Sequence, residues 1–328
     1  MRRREVLAAL GGAAAALPLA ALGQQPAGMR RIGFLSAHDE RDPEAQRRLG
    51  ALREGLQALG WLAPKLAIEL RWAAGEVDRI RAYAAELVDL KPDVIVTNST
   101  PTLAALQKAS RTIPIVFMAV SDPVGDGFVA SYGSPGGNIT GFSNHEPSVP
   151  GKWLQLLKEC DPGIMHVAAI YNPATAPHGI FLPPLKSAAL ASSVEFIPAP
   201  VRNIAEIEAV VAGLGRAQGG GLITVPDLSN VVHREQIIAL AARHRVPAVY
   251  YRKLFAEGGG LMSFGPDDVD QYRRSASYID RILRGESPAG LPVQAPTKFE
   301  LVVNLKTAET LGITISSSIL ALADEVIE

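Results

Sequence analysis

Cysteine is almost absent from this chain of 328 residues, because Cys160 is the only one. An intramolecular disulfide and a cysteine-based zinc cluster are therefore excluded. The six histidines are scattered without the spacing of metal ligands, so no metal site is predicted. The sequence also lacks a nucleophile elbow, a P-loop and an H-E-x-x-H motif. We therefore predict no cofactor and no catalytic residue.

Charge of one sign is not concentrated anywhere after the first few residues. The 32 basic and 33 acidic residues leave a formal net charge of −1. Such a balance gives no reason to expect a nucleic acid or a membrane surface as a partner. The length suffices for two domains, each of which can bury its own core.

The N-terminus carries the pattern of an export signal. It reads MRRREVLAALGGAAAALPLAALGQQPA, in which a basic start precedes a long uncharged run and small residues at Ala21 and Gly23. Residues 1–23 are predicted to be a signal peptide that is cleaved near Gly23. The pair Arg3 and Arg4 resembles a twin-arginine signal, with the Sec route as the alternative. A retained membrane anchor is the competing interpretation, although the run is short for a span.

The rest of the chain alternates between short apolar runs and amphipathic segments. The clearest unit is DVIVTNSTPTLAALQKA (residues 93–109), in which a β-branched run stops at polar residues and a helix follows. Such a run is typical of a strand buried on both faces of a parallel sheet. Repetition of the unit predicts an α/β fold with doubly wound parallel sheets. The glycine-rich stretch SPGGNITGFS (residues 134–143) interrupts the pattern, either as a crossing between two lobes or as a surface loop.

The second half of the chain resembles the first half. RTIPIVFM (residues 111–118) corresponds to HRVPAVYY (residues 244–251), and DVIVTNSTP corresponds to GLITVPDLS. These correspondences predict two similar lobes whose sheet edges face one another. In open parallel sheets, ligands bind at the carboxyl ends of the strands, and helix N-termini attract anions.

Polar residues that follow the predicted strands are the candidate ligand-binding residues. From the first half they are Ser36, His38, Asn98, Ser99, Thr100, Ser121 and Asp122. From the second half they are Asn172, Asp227 and Tyr250, with Tyr251 beside the last. Hydroxyl groups and helix N–H groups suit a carboxylate, an aspartate suits an ammonium group, and tyrosine can cover a planar group. Taken singly, each residue is better explained as a turn or cap residue, and the set points to a ligand because its members would converge on one cleft.

Several segments together resemble the bacterial ABC-transporter substrate-binding proteins of the tryptophan/tyrosine-binding-like group. They are RIGFLS, ELRWAAGEVDRI, LKPDVIVTNSTP, TIPIVFMAVSDPVGDGFVAS, PGGNITGFS, HVAAIYNP, RVPAVYYRKLFAEGGGLMSFGPD and PTKFELVVNLKTAETLGI. The resemblance implies a periplasmic, non-enzymatic protein of type I periplasmic-binding-protein-like fold. It also implies that a small-molecule ligand is trapped between two lobes and delivered to an ABC-transporter membrane permease.

The resemblance further implies a three-segment hinge, with crossings near residues 138–141, 261–265 and 299–303. We accordingly expect residues 29–138 plus 299–328 in lobe one, residues 142–262 in lobe two, and residues 263–298 as a crossing segment and helix. A monomer is expected.

Our hypothesis for the ligand is an amino acid or a small carboxylate, including an aromatic one. Two other classes of protein remain open at this point: an α/β enzyme on a two-lobe frame, and a ligand-sensing regulatory protein of the same fold.

Overall fold

The computed structural model describes residues 28–176 and 178–328. The predicted signal peptide (residues 1–23) lies outside the described residues. Within them, no helix is long and apolar enough to cross a membrane.

Two sheets form the framework. The first has five parallel strands in the order β2-β1-β3-β4-β5, namely β1 (Arg30–Ser36), β2 (Leu66–Trp72), β3 (Val94–Asn98), β4 (Ile115–Val120) and β5 (Ile139–Ser143). The second has the order β12-β11-β10-β9-β8-β6-β7, namely β6 (His166–Tyr171), β7 (Glu195–Pro200), β8 (Gly220–Thr224), β9 (Ala248–Tyr250), β10 (Met262–Pro266), β11 (Phe299–Asn304) and β12 (Glu325–Ile327). We call the five-stranded sheet and the helices on it lobe one, and the seven-stranded sheet and its helices lobe two.

Helices connect these strands along the chain. They are α1 (Pro43–Ala58), α2 (Val77–Asp89), α3 (Thr100–Ala109), α4 (Val149–Cys160), α5 (His178–Ala191), α6 (Ile204–Arg216), α7 (Leu228–Val232), α8 (Arg234–Arg243), α9 (Lys253–Glu257), α10 (Asp268–Leu283), α11 (Leu305–Leu311) and α12 (Ser317–Leu322). The predicted arrangement of two α/β lobes is confirmed.

The central strands of lobe one are buried on both faces, as their apolar sequences predict. Val94 and Val96 of β3 belong to a hydrophobic cluster with α1, whereas Ile95 belongs to a cluster with α2 and α3. Successive side chains of a strand point to opposite faces of the sheet. The continuous apolar run is therefore needed because helices cover both faces.

Helix α10 crosses from lobe two to complete the core of lobe one. Tyr272, Ala276 and Ile279 lie in the same buried cluster as Leu49 and Leu52 of α1. Their spacing gives α10 one apolar stripe, which packs along α1. Lobe one is thus built from two separate parts of the chain.

The C-terminal segment contradicts the prediction. Residues 299–328 were expected in lobe one, but β11 pairs antiparallel with β10 and β12 pairs with β11, so the segment extends the sheet of lobe two. Residues 299–303 are therefore a strand of that sheet and not a crossing. Residues 261–265 lie mostly within β10 of the same sheet. The prediction failed because the lobe depends on which strand β11 pairs with, and the local sequence does not encode that partner.

The first crossing is also misplaced by the prediction. Residues 138–141 lie at the start of β5, which pairs with β4 inside lobe one. Gly141 has φ of 158°, and a Cβ atom there would collide with the backbone oxygen of Phe117 on β4. The glycine therefore permits a close strand pairing. The chain passes between the sheets after β5, between β10 and α10, and again before β11.

Candidate functional site

A cavity lies between the carboxyl edges of the two sheets. Lobe one and the first crossing line it with His38, Asn98, Ser99, Thr100, Pro101, Ala119, Ser121 and Asn144. Lobe two lines it with Thr175, Pro226, Asp227, Leu228, Val231, Tyr251 and Arg252. The cavity volume is about 30 Å³. The turns after β3 and β8 thus line the same cavity. These are the turns of the corresponding segments DVIVTNSTP and GLITVPDLS.

Lobe one presents strained backbone to this cavity. Ser99 follows β3 and precedes α3 with φ of 74° and ψ of 153°, a region that residues with a Cβ rarely adopt. Ala119 has φ of 53° and lies at a register shift between β4 and β5. Such strain costs about 1–3 kcal/mol per residue and persists where the surroundings enforce it. Both residues line the cavity, and strain of this kind is typical of functional sites.

Asn98 connects three elements at the edge of the sheet. Its Oδ1 accepts a hydrogen bond from the Ala37 backbone N–H at 2.9 Å, and its Nδ2 donates to the Tyr272 hydroxyl at 2.7 Å. The side chain is buried, and these bonds use one donor and one acceptor. Asn98 therefore fixes the position of α10 against the edge of lobe one as well as lining the cavity.

Asp227 fixes the corresponding edge of lobe two. Its carboxylate accepts hydrogen bonds from the backbone N–H groups of Asn172 at 2.7 Å and Ser229 at 3.0 Å, and from the Thr175 hydroxyl at 2.5 Å. Burial nevertheless raises the pKa of Asp227 above its ordinary value. Three donors thus solvate this carboxylate in place of water, and they join the ends of β6 and β8.

His38 is neutral in this setting. Burial lowers its pKa well below the ordinary value, and the positive charges of Arg48, Arg252 and Arg234 lower it further. Nη1 of Arg48 lies 3.3 Å from Nε2 of His38. Because a guanidinium only donates, Nε2 is the acceptor and the ring proton is on Nδ1.

Arg252 and Asn144 are lining residues that the sequence analysis missed. Arg252 follows β9, and its Nε lies 3.1 Å from the Asp268 carboxylate. Its Nη1 and the Oδ1 of Asn144 are buried and have no hydrogen-bond partner among the described residues. Arg252 directly follows the strand predicted at residues 248–251, so the strand-end rule used for the other candidates would have found it.

Four of the ten predicted site residues lie outside the cavity lining. Tyr250 is wrong as a cavity residue, because its side chain is buried in lobe two and stacks on Phe255 at 4.9 Å. Burial raises the pKa of Tyr250. The neighbouring Tyr251 lines the cavity instead. Consecutive side chains at a strand end point to opposite faces, which explains the error.

The other three are local structural groups. Ser36 is buried, and its Oγ accepts from the His38 backbone N–H at 3.2 Å. The carboxylate of Asp122 accepts from the Gly125 N–H at 2.8 Å, and Oδ1 of Asn172 accepts from the Ala174 N–H at 2.9 Å. The remaining six, which do line the cavity, are His38, Asn98, Ser99, Thr100, Ser121 and Asp227. Their contact with a ligand stays a prediction.

The closed cavity is lined by polar groups that can bind a ligand. Among the described residues, no group of three or more His, Cys, Asp or Glu side chains could hold a metal ion. Polar groups converge from two lobes, and Asp227 and Arg252 supply one charge of each sign. Such a site suits a small polar or zwitterionic molecule.

Known proteins with this architecture bind small molecules. A tyrosine-binding protein of Clostridioides difficile is 25% identical over 248 residues, which are 75% of this chain and 70% of the relative. The structure of an ABC domain in complex with L-Trp from Streptococcus pneumoniae superposes with a TM-score of 0.85 at 24% identity, over 91% of this chain and 100% of that one. A conserved domain protein of Vibrio cholerae superposes with a TM-score of 0.84 at 29% identity, over 91% and 99% of the two chains.

Residues 37–327 match the family described as ABC transporter substrate binding protein. Proteins of this family are extracytoplasmic, and they bind small ligands and deliver them to ABC permeases. The family is one of binding proteins and not of enzymes. The resemblance inferred from the sequence is thus confirmed, and the chain belongs to the family of ABC transporter substrate-binding proteins.

Proposed function

We propose that this chain is the periplasmic solute-binding component of an ABC importer and that its ligand is an amino acid or a small carboxylate. The proposal includes export through residues 1–23 as a cleaved signal peptide, by the twin-arginine or the Sec route. We also propose that the protein is a monomer. An aromatic amino acid is one candidate ligand.

The observation that carries the ligand class is the pair of opposite charges in one closed cavity. Arg252 and Asp227 both line it, whereas the remaining lining groups are uncharged. A zwitterion presents the complementary pair of charges, and buried charges are stabilised only when they are paired or hydrogen-bonded. The tyrosine-binding relative and the L-Trp complex support an amino acid in particular.

Closure of the two lobes supplies the mechanism. A cavity of about 30 Å³ holds a water molecule or two and is far smaller than an amino acid. The lobes must therefore separate to admit a ligand. A solute that contacts both edges binds the closed form better than the open form, and it shifts the equilibrium toward closure. The closed form is then the one that docks on the permease.

Contacts across the cleft define the closed form. Arg234 of lobe two pairs with Asp42 of lobe one at 3.1 Å, and Arg47 of lobe one reaches Glu257 of lobe two at 3.6 Å. Leu228 of α7 joins a buried cluster of lobe one. These contacts are the ones that opening would break.

Isothermal titration calorimetry tests the proposal. The purified chain is titrated with the aliphatic, aromatic and acidic L-amino acids, with small organic acids, and with the polyol myo-inositol. We expect saturable binding of at least one amino acid or carboxylate. Binding of myo-inositol alone would contradict the ligand class, since that solute carries no charge.

A further inference from the structure

We propose that Arg252 binds the carboxylate of the ligand and that Asp268 is the positioning residue that orients the Arg252 guanidinium. This inference rests on the proposed function and names the group that recognises the ligand.

The Arg252 side chain is held as a fixed fork at the cavity. Only 8% of the residue is exposed, its Nε contacts Asp268 at 3.1 Å, and its guanidinium lies over the Tyr251 ring at 5.4 Å from the centroid. The guanidinium offers five N–H donors in one plane, which matches the two oxygens of a carboxylate. With its orientation fixed at Nε, the remaining edge is available to a ligand.

One N–H donor of the Arg252 guanidinium is buried without a partner. Nη1 of Arg252 has no hydrogen bond among the described residues. An unpaired buried donor is unfavourable, and this one belongs to a charged group, for which the penalty is larger. A ligand acceptor at the cavity satisfies it. We therefore attribute this unpaired donor, which borders the cavity, to recognition of a ligand.

Arg252 shares its carboxylate partner with a second arginine. Asp268 is shared, because Nη2 of Arg48 also lies 3.5 Å from the same carboxylate oxygen. Arg48 in turn contacts Glu44 at 3.1 Å. No ion pair joins Asp227 to Arg252 within the described part of the chain, and Asp227 is occupied by its three donors. Arg252 and Arg48 thus contact the same oxygen of Asp268, and Nη1 of Arg252 has no partner among the described residues.

The interlobe cavity is the larger of two cavities that Arg252 lines. A second cavity on Arg252 is also lined by Glu44, Arg48, Asp268 and Glu300, but its volume is about 10 Å³. That space holds no more than a single water molecule. We therefore assign the ligand carboxylate to the larger, interlobe cavity.

Asn144 provides an acceptor in the same cavity. Only 8% of it is exposed, and its Oδ1 is buried without a partner. A carbonyl oxygen suits an ammonium donor. An α-amino acid would place its carboxylate on Arg252 and donate from its ammonium group to Asn144, while the Asp227 carboxylate in the same cavity supplies the opposite charge.

The position of Asp268 couples recognition to closure. Asp268 is the first residue of α10, which packs on lobe one, whereas Arg252 belongs to lobe two. The Arg252–Asp268 pair therefore spans the two lobes. Asp268 also contacts Arg48 of lobe one, so Arg252, Asp268 and Arg48 link the two lobes in this closed form.

The test compares acids with their neutral amides. L-tyrosine, L-tryptophan and L-leucine are each paired with the corresponding α-carboxamide and titrated into wild-type protein and into the variants Arg252→Gln, Arg252→Lys and Asp268→Asn. Arg243→Gln is the control, because Arg243 is an exposed residue of α8 whose partner Glu208 is also exposed. Thermal unfolding of every variant checks that it folds.

We expect Arg252→Gln to weaken binding of the acid about 10- to 100-fold, since it removes a hydrogen bond between charged groups. Binding of the amide should change little, so the preference for the acid disappears. Arg252→Lys should retain part of that preference because the charge remains. Asp268→Asn should reduce it by a smaller factor, whereas Arg243→Gln should leave it unchanged.

Three negative outcomes are distinguishable. If Arg252→Gln weakens the acid and the amide equally, Arg252 has a structural role and this inference fails while the proposed function stands. If wild-type protein binds none of the acids and binds myo-inositol instead, the proposed ligand class fails and the inference fails with it. An unchanged preference in Asp268→Asn would refute the positioning role alone.

Discussion

The two lobes place different kinds of residue at equivalent positions beside the cavity. Lobe one presents Ser99 and Ala119 with φ of 74° and 53°, and its neutral His38. Lobe two presents Asp227 and Arg252 with φ of −159° and −141°, which are ordinary extended values. Lobe one therefore contributes uncharged groups on strained backbone, and lobe two contributes charges on relaxed backbone.

This division suggests separate roles in recognition. Charged groups discriminate strongly between ligands, because a wrong partner leaves a buried charge unpaired. A strained loop fixes the positions of small groups and so restricts the shape that fits. We therefore interpret lobe two as the lobe that discriminates between ligands by charge, and lobe one as the lobe that discriminates between them by shape.

Replacement of Asp227 should have the largest effect. Asp227→Ala leaves three donors without their acceptor in a buried site, so we expect the free energy of unfolding to fall by about 3 kcal/mol. Asp122→Ala is the matched control on lobe one, since Asp122 has one hydrogen bond, to Gly125, and lies partly exposed. Its loss should be below about 1 kcal/mol. Urea denaturation measures both, and equal losses would contradict the comparison.

The same residue makes stability depend on pH. Because burial raises the pKa of Asp227 in the folded state, folding is favoured by its protonated form. Its contribution is fully present below the unfolded pKa of about 3.9 and is lost as pH rises through the folded value. The stability of wild-type protein relative to Asp227→Asn should therefore decline from about pH 4 upward. If the stability of wild-type protein relative to Asp227→Asn instead increased with pH, the pKa of Asp227 would be lowered in the folded state, contrary to this prediction.

Relief of strain in lobe one should have a smaller effect of opposite sign. Ser99→Gly removes the Cβ from a backbone conformation that favours glycine, so stability should rise by about 1 kcal/mol. Affinity for the ligand should fall because the loop is less fixed. Lys91→Gly is the control, since Lys91 has φ of 47° but is not among the residues that line the cavity. It should gain stability without losing affinity, and thermal unfolding with calorimetry separates the two effects.

The smallest effect is expected at the contact between the lobes. Arg234→Gln removes the pair with Asp42, and a partly exposed pair contributes below about 1 kcal/mol. Affinity should fall about 2- to 5-fold, because closure becomes less favourable, while stability stays unchanged. The unliganded protein should also show a larger radius of gyration by small-angle X-ray scattering. Arg243→Gln, at the other end of α8, should change neither quantity.

Much of the fold was predictable because strand and helix periodicity is local. The run before Asn98 predicts a strand buried on both faces, and β3 is one. The placement of residues 299–328 was not predictable, because β11 could add to either sheet and only its pairing with β10 decides the lobe. The end of a chain carries no local signal of its long-range partner.

The candidate site was predicted in part for a similar reason. The rule that polar residues at strand ends approach a ligand placed Asn98, Ser99 and Asp227 correctly at the cavity. It failed for Tyr250, since a shift of one residue turns a side chain to the other face of the sheet. Arg252 was missed because a basic residue in a loop resembles an ordinary solvated group.

The insertion of α10 into lobe one has a consequence for biosynthesis. The ribosome completes residues 28–143 early, yet the hydrophobic surface of α1 stays uncovered until Tyr272, Ala276 and Ile279 have been translated. Lobe two also waits, because β11 and β12 are added last. Each lobe is therefore completed by a segment that is translated well after its first strands.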